Sequence, residues 1–247
     1  MKVHCAVTLL LVARIAGGSA PANLLFGIAS KDAVVMSSSS SYSSGRTTIT
    51  SSYNYIHAIG SDTDNTDGIE TGDKSKLQGK ILVGFSGDIS DCDVVLEALR
   101  YQSMDYFNRI GKDMSVKAVA SFLRKLLADS LRERRLQVNI LVGGIEPPGR
   151  PALYYVDSTA ALQRVPFAVH GAEFSFVMST LDRHNRKYSS SSASSEVGGG
   201  FSGVAESEGA LAAQSVSACL QTVRSCWESV RKRTVPAYMT HESYSLD

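Results

Sequence analysis

The chain has 247 residues, of which 43% are hydrophobic and 20% charged, with a formal net charge of +1. This is the balance of one large globular domain, the reading preferred here, or of two small ones, and it argues against binding driven by broad electrostatics, to nucleic acid or to an anionic membrane. The short basic runs Arg132 to Arg135 and Arg231 to Arg233 are read as solvated helix ends.

Met1 to Ala22 resembles a secretory leader, with Lys2, the apolar run Cys5 to Ala13 and the small residues Ala16 to Ala20. Arg14 interrupts the pattern, and the apolar run is too short to span a bilayer. The stretch is read as an N-terminal extension: a leader, a propeptide or an artefact of an upstream start. Leu24 to Ile28 and Ala33 to Met36 are predicted strands, separated by Ser30-Lys31-Asp32. Ser37 to Ser44 then holds seven serines and one tyrosine. It is read as the start of a polar insertion that continues to about residue 67. Ser61 to Gly68 is rich in oxygen ligands, but lacks the glutamate and the preceding helix of a calcium loop.

Lys80 to Asp88 is a strand entering a glycine turn. No Gly-Lys-Ser/Thr follows, and Asp88 would repel phosphate, so a phosphate loop is excluded. Ser90-Asp91 is the predicted cap of a helix running from Asp91 to about Asn108. Ser115 caps a second helix, whose stripe Val116, Val119, Phe122, Leu123, Leu126, Leu127 and Leu131 ends in the basic run. Val138 to Asp157 reads as a strand pair buried on both faces, with Gly143-Gly144 and Pro147-Pro148-Gly149 as the break. Beyond it lie a turn at Asp157 to Ala161, a short apolar segment ending at His170-Gly171, and a helix of about two turns from Phe174 to Leu181. A Ser/Gly-rich surface insertion follows, near 184–209. The long periodic helix Ala212 to Val230 and an extended segment, Val235 to Leu246, complete the chain.

Cys5, Cys92, Cys219 and Cys226 form neither a Cys-x-x-Cys pair nor a zinc spacing. Cys219 and Cys226 are separated by about 10.5 Å along a helix axis, too far for a disulfide. They read as core thiols of an intracellular protein. The element order describes an α+β fold in which two sheets lie between two helical layers. No pattern in the sequence calls for a metal or a cofactor.

Leu24-Leu-Phe-Gly-Ile28, Lys80-Ile-Leu-Val-Gly-Phe-Ser-Gly-Asp88 and Leu127-Ala-Asp-Ser-Leu-Arg132, in that order, resemble proteasome beta subunits. Val138 to Val142, Pro151 to Asp157, Pro166 to Gly171 and Leu181-Asp-Arg183 are most similar to beta type-2, the fourth position of the beta ring. The resemblance implies the four-layer αββα sandwich of N-terminal nucleophile hydrolases, in one domain from 23 to 247. It implies other proteasome beta and alpha subunits as partners in stacked seven-membered rings, a cytoplasmic and nuclear location and a role in ubiquitin-dependent degradation. Nucleic acid and membrane are not expected partners.

Active members of that family use an N-terminal threonine whose own amine is the base, supported by a lysine, an aspartate and an arginine. Matching Asp32-Ala-Val-Val-Met36 to the family's second strand puts Asn23 in the threonine position and Ser39 and Ser41 near the aspartate and arginine. The lysine falls near Ile69, with Lys74 and Lys76 close by. Asparagine has no nucleophilic hydroxyl, so the expectation is a non-catalytic subunit with no catalytic, cofactor or metal residues. His170 invites pairing with a serine, but no Gly-x-Ser-x-Gly elbow is present, and it is read as a hydrogen-bonded histidine near a turn. The rival readings are a secreted or vesicular Ser-rich hydrolase and a diverged chain that does not enter the ring.

Overall fold

A computed structural model describes residues 12–15, 24–39, 42–44, 47–50, 53–60, 81–171, 173–189 and 214–234. One sheet has the order β1-β3-β2-β11, from β1 (Val12–Ile15), β2 (Leu25–Ala29), β3 (Val34–Ser39) and β11 (Phe167–His170). The other has the order β10-β9-β8-β7-β6, from β6 (Ile56–Ile59), β7 (Ile81–Gly87), β8 (Val138–Glu146), β9 (Arg150–Val156) and β10 (Leu162–Arg164). A separate ribbon pairs β4 (Tyr42–Ser44) with β5 (Thr47–Thr50). Helices α1 (Ile89–Ile110) and α2 (Val116–Ser130) lie on the second sheet, and α3 (Phe174–Ser189) and α4 (Val216–Thr234) on the first. The result is the expected αββα sandwich.

Alternation along each strand explains why the layers stack. Leu24, Phe26, Ile28 and Val35 pack against Val177, Leu181, Val223 and Trp227 of the α3–α4 layer. Their neighbours Leu25, Val34 and Met36 turn the other way and meet Leu82, Leu141 and Leu153 between the sheets. Val83, Phe85, Ile140 and Val142 complete the pattern against Val95, Leu99, Leu123 and Leu127.

The sheets approach closely because glycine is present where a side chain would collide. A Cβ on Gly143 would come within 2.7 Å of Val34 Cγ1 and 2.8 Å of Met36 Cε, and one on Gly84 within 2.8 Å of Leu25 Cδ1. This corrects the expected break at Gly143-Gly144. Both residues pair with β9, and β8 turns only after Glu146.

Three further expectations change. The cap of α1 is Asp88, whose carboxylate accepts hydrogen bonds from the Ser90 and Asp91 amides. Asp91 is instead buried, bonded to Arg134 and to the Gln137 amide. Helix α3 runs to Ser189, so the stretch near 184 begins inside a helix. Ser37, Ser38 and Ser39 are not a surface insertion. They continue β3 at 0%, 4% and 0% exposure, because the ladders to β2 and β1 satisfy their backbone and a small hydroxyl fits the packed layer on either face. Ser115 caps α2 as expected, accepting from Ala118 N. The acidic run 61–68, most of the 184–209 stretch and the segment 235–246 lie outside the described residues.

Candidate functional site

The position of interest precedes β2. Asn23, Ser41, Ile69, Lys74 and Lys76 lie outside the described residues, whereas Leu24, the β2–β3 hairpin and Ser39 lie within them. The hairpin register, Leu25↔Ser38 through Ala29↔Val34, turns through Ser30, Lys31 and Asp32. The Ser30 hydroxyl donates to Ala33 O and accepts from Ala33 N, which fixes the turn. At the other end Ser39 N donates to Leu24 O at 2.8 Å.

Ser39 is the residue that the resemblance sets near the family's aspartate. Its hydroxyl is buried and has no hydrogen-bond partner. It carries no charge, so leaving it unpaired costs far less than an unpaired carboxylate. Ser37, two residues back on the same strand face, accepts from Trp227 Nε1 at 2.8 Å and pins α4 to β3.

On the opposite face, polar side chains close the same end of the inter-sheet layer. His170 pairs with Leu25, and Leu25 with Ser38, in one row of the first sheet. Facing them are Ser86 and its cross-strand partner Asn139 in the second. His170 Nδ1 lies 2.9 Å from Ser86 Oγ, a bond that crosses between the sheets. Tyr155 donates to Asn139 Oδ1 at 3.0 Å. Burial lowers the His170 pKa from its ordinary value, which favours the neutral ring. Burial, then the nearby Asp157, raises that of Tyr155.

The Ser86–His170 pair has two of the groups used in nucleophilic catalysis, but not their surroundings. Ser86 has no exposed surface, and among the described residues no acid is bonded to the His170 ring. What the geometry provides is a hydrogen bond joining two sheets, in keeping with the reading of His170 as a bonded histidine. Ser86, Asn139 and Tyr155 were not singled out from the sequence. They are far apart in it, and only the strand registers bring them together.

Among the described residues, no group of three or more His, Cys, Asp or Glu side chains is placed to hold a metal, and no helix is long and apolar enough to cross a membrane. Cys92, Cys219 and Cys226 are buried free thiols. Burial raises their pKa values to about 12, 11 and 12.

Two layers of helix around two facing sheets, with a hairpin strand leading from the position of interest, define an N-terminal nucleophile hydrolase fold. The proteasome subunit family matches residues 22–197, and the chain belongs to that family. Its relatives there are beta subunits. It is 39% identical over 116 residues to the probable proteasome subunit beta type-4 of Neurospora crassa, covering 46% of this chain and 57% of that one. Identity is 29% over 166 residues to the Saccharomyces cerevisiae proteasome subunit beta type-4, covering 66% and 75%. It is 34% over 131 residues to the Arabidopsis thaliana proteasome subunit beta type-2-B, covering 53% and 63%. The chain thus spans less than two thirds of the Neurospora and Arabidopsis relatives.

Proposed function

We propose that this chain is a non-catalytic beta subunit of the 20S proteasome core, most like beta type-2, filling the fourth position of a seven-membered ring. The observation that carries the proposal is Asn23 in the place of the nucleophilic threonine. The β2–β3 hairpin, with its turn at Ser30 to Asp32 and its register from Leu25↔Ser38 to Ala29↔Val34, supports the alignment of Asp32 to Met36 with the family's second strand on which that reading rests. Acyl transfer requires a nucleophile, and an asparagine amide is not one. The neutral Ser39, in place of an acid, agrees with a site relieved of catalysis.

Assembly accounts for the apolar surface of α1, where Val94, Tyr101, Met104 and Ile110 are exposed, Tyr101 to 73% and Met104 to 60%. In the ring, neighbouring beta subunits, alpha subunits or the opposite beta ring would cover such a face. The subunit would shape the chamber beside active neighbours and act in ubiquitin-dependent degradation in cytoplasm and nucleus. Its proteasome-type domain takes in residues 23–247, with β1 added to its first sheet.

Mass spectrometry of affinity-isolated proteasomes treated with a threonine-directed covalent inhibitor tests this reading. The chain is expected in the particle in stoichiometric amount and unlabelled. An adduct on it would overturn the non-catalytic assignment, and its absence from the particle would overturn the assembly role.

A further inference from the structure

We infer that the segment around Val12–Ile15 is a permanent edge strand of the folded subunit, retained in the mature chain, and not a leader or propeptide that is removed. Strand β1 pairs in parallel with β3, Val12↔Met36 through Ile15↔Ser39, in a sheet whose other neighbours are antiparallel. Edge strands of natural sheets are protected by charge, proline, a bulge or a cover. The sequence of β3, Val-Val-Met-Ser-Ser-Ser, carries no charge and no proline, and its register with β2 runs without a shift. It has neither charge nor proline nor bulge, and among the described residues β1 is the strand that covers its outer edge.

The connection is also easy to make. Ile15 lies beside Ser39, and Ser39 N is bonded to Leu24 O on its other side. The chain must therefore join ends two strand spacings apart, about 10 Å. The eight residues 16–23 can reach about 26 Å when extended.

Retention has a chemical consequence, which rests on the proposed reading of Asn23. In the family's chemistry the base is the free α-amine of the residue at that position. With residues 12–22 still attached, the nitrogen of residue 23 is an amide, which cannot take a proton from a nucleophile. Base and nucleophile are then lost independently, one by retention and one by substitution.

Intact mass and N-terminal sequencing of the mature chain, with hydrogen exchange on the same material, test the inference. A start at or before Val12 and slowed exchange of those alternate amides in 12–15 that face β3 are expected. A start after Ile15, or exchange of those amides at the free-chain rate, would overturn it. Proline substitutions at Ala13 and Arg14 add a second measure. Adjacent strand residues point their N–H groups to opposite edges, so one variant loses a ladder bond and the other does not. One should speed exchange at Met36 to Ser39 by about tenfold or more and the other leave it unchanged; equal behaviour of the two folded variants would count against β1. A start at residue 23 would remove β1 yet leave Asn23 without a hydroxyl, so this inference can fail while the non-catalytic reading stands.

Discussion

Gly143 has no side chain because Val34 and Met36 of the facing sheet occupy the space one would need. Gly143→Ala should cost about 1–3 kcal/mol of stability, measured by denaturant titration, as expected for overpacking between two well-filled layers. Ser37 is the acceptor for Trp227 Nε1, and Ser37→Ala leaves that N–H buried and unpaired. The expected loss is about 1–3 kcal/mol. In the Trp227→Phe background the same substitution should cost less, since the donor is already gone; an equal loss in both backgrounds would refute the coupling.

His170 makes the stability depend on pH in a definite direction. Its folded pKa lies below the ordinary value of 6.5, so between the two values the unfolded chain binds more protons than the folded one. Its contribution is present above pH 6.5 and is lost as the pH falls towards the folded value. Replacing His170 with Asn should flatten that part of the curve. A parallel curve for the variant would show that the dependence arises elsewhere.

At the scale of elements, the Asp91 carboxylate ties the start of α1 to the chain entering β8, accepting from Arg134 and from the Gln137 amide. The two partners are unequal, because the Asp91 side chain is 6% exposed and that of Arg134 is 76% exposed. Asp91→Ala should cost about 1–3 kcal/mol, since it strands a backbone N–H. Arg134→Ala should cost less than about 1 kcal/mol, as for an ion pair open to solvent. Thermal denaturation of the two variants tests that order.

The elements with strong apolar periodicity were legible in the sequence: α1, α2, α4, β7 and the β8–β9 pair. Ser37 to Ser39 were not, because composition reports the polarity of a side chain and not whether a tryptophan 190 positions later will bond to it. The extent of α3 was hidden for a related reason, its second half being polar. For the site, Asn23 was found by comparison with a family pattern. The Ser86, Asn139, Tyr155 and His170 cluster needed the strand registers, because each residue alone is an ordinary polar position at a strand end.

For the whole molecule, the exposed apolar face of α1 is where assembly should be sensitive. Tyr101→Asp and Met104→Asp ought to leave the isolated chain folded while reducing its recovery in affinity-isolated particles. Normal recovery of both would remove that face from the contacts. The three buried thiols offer a companion test of integrity. Cys92, Cys219 and Cys226 should resist alkylation at pH 8 in the native chain and react once it is denatured, because burial holds them protonated and covered.

The Trp227 contact has a practical consequence as well. The chain has a single tryptophan, so its intrinsic emission reports on one location, the junction of α4 with β3. With the indole against Phe26 at 5.7 Å between ring centroids, that emission should be blue-shifted and shielded from aqueous quenchers. Lifting α4 alone would shift it to the red while the layer formed by α1 and α2 stayed folded. Fluorescence and far-UV circular dichroism would then separate in an unfolding experiment, and the interval between them would measure how independently the two helical layers come apart.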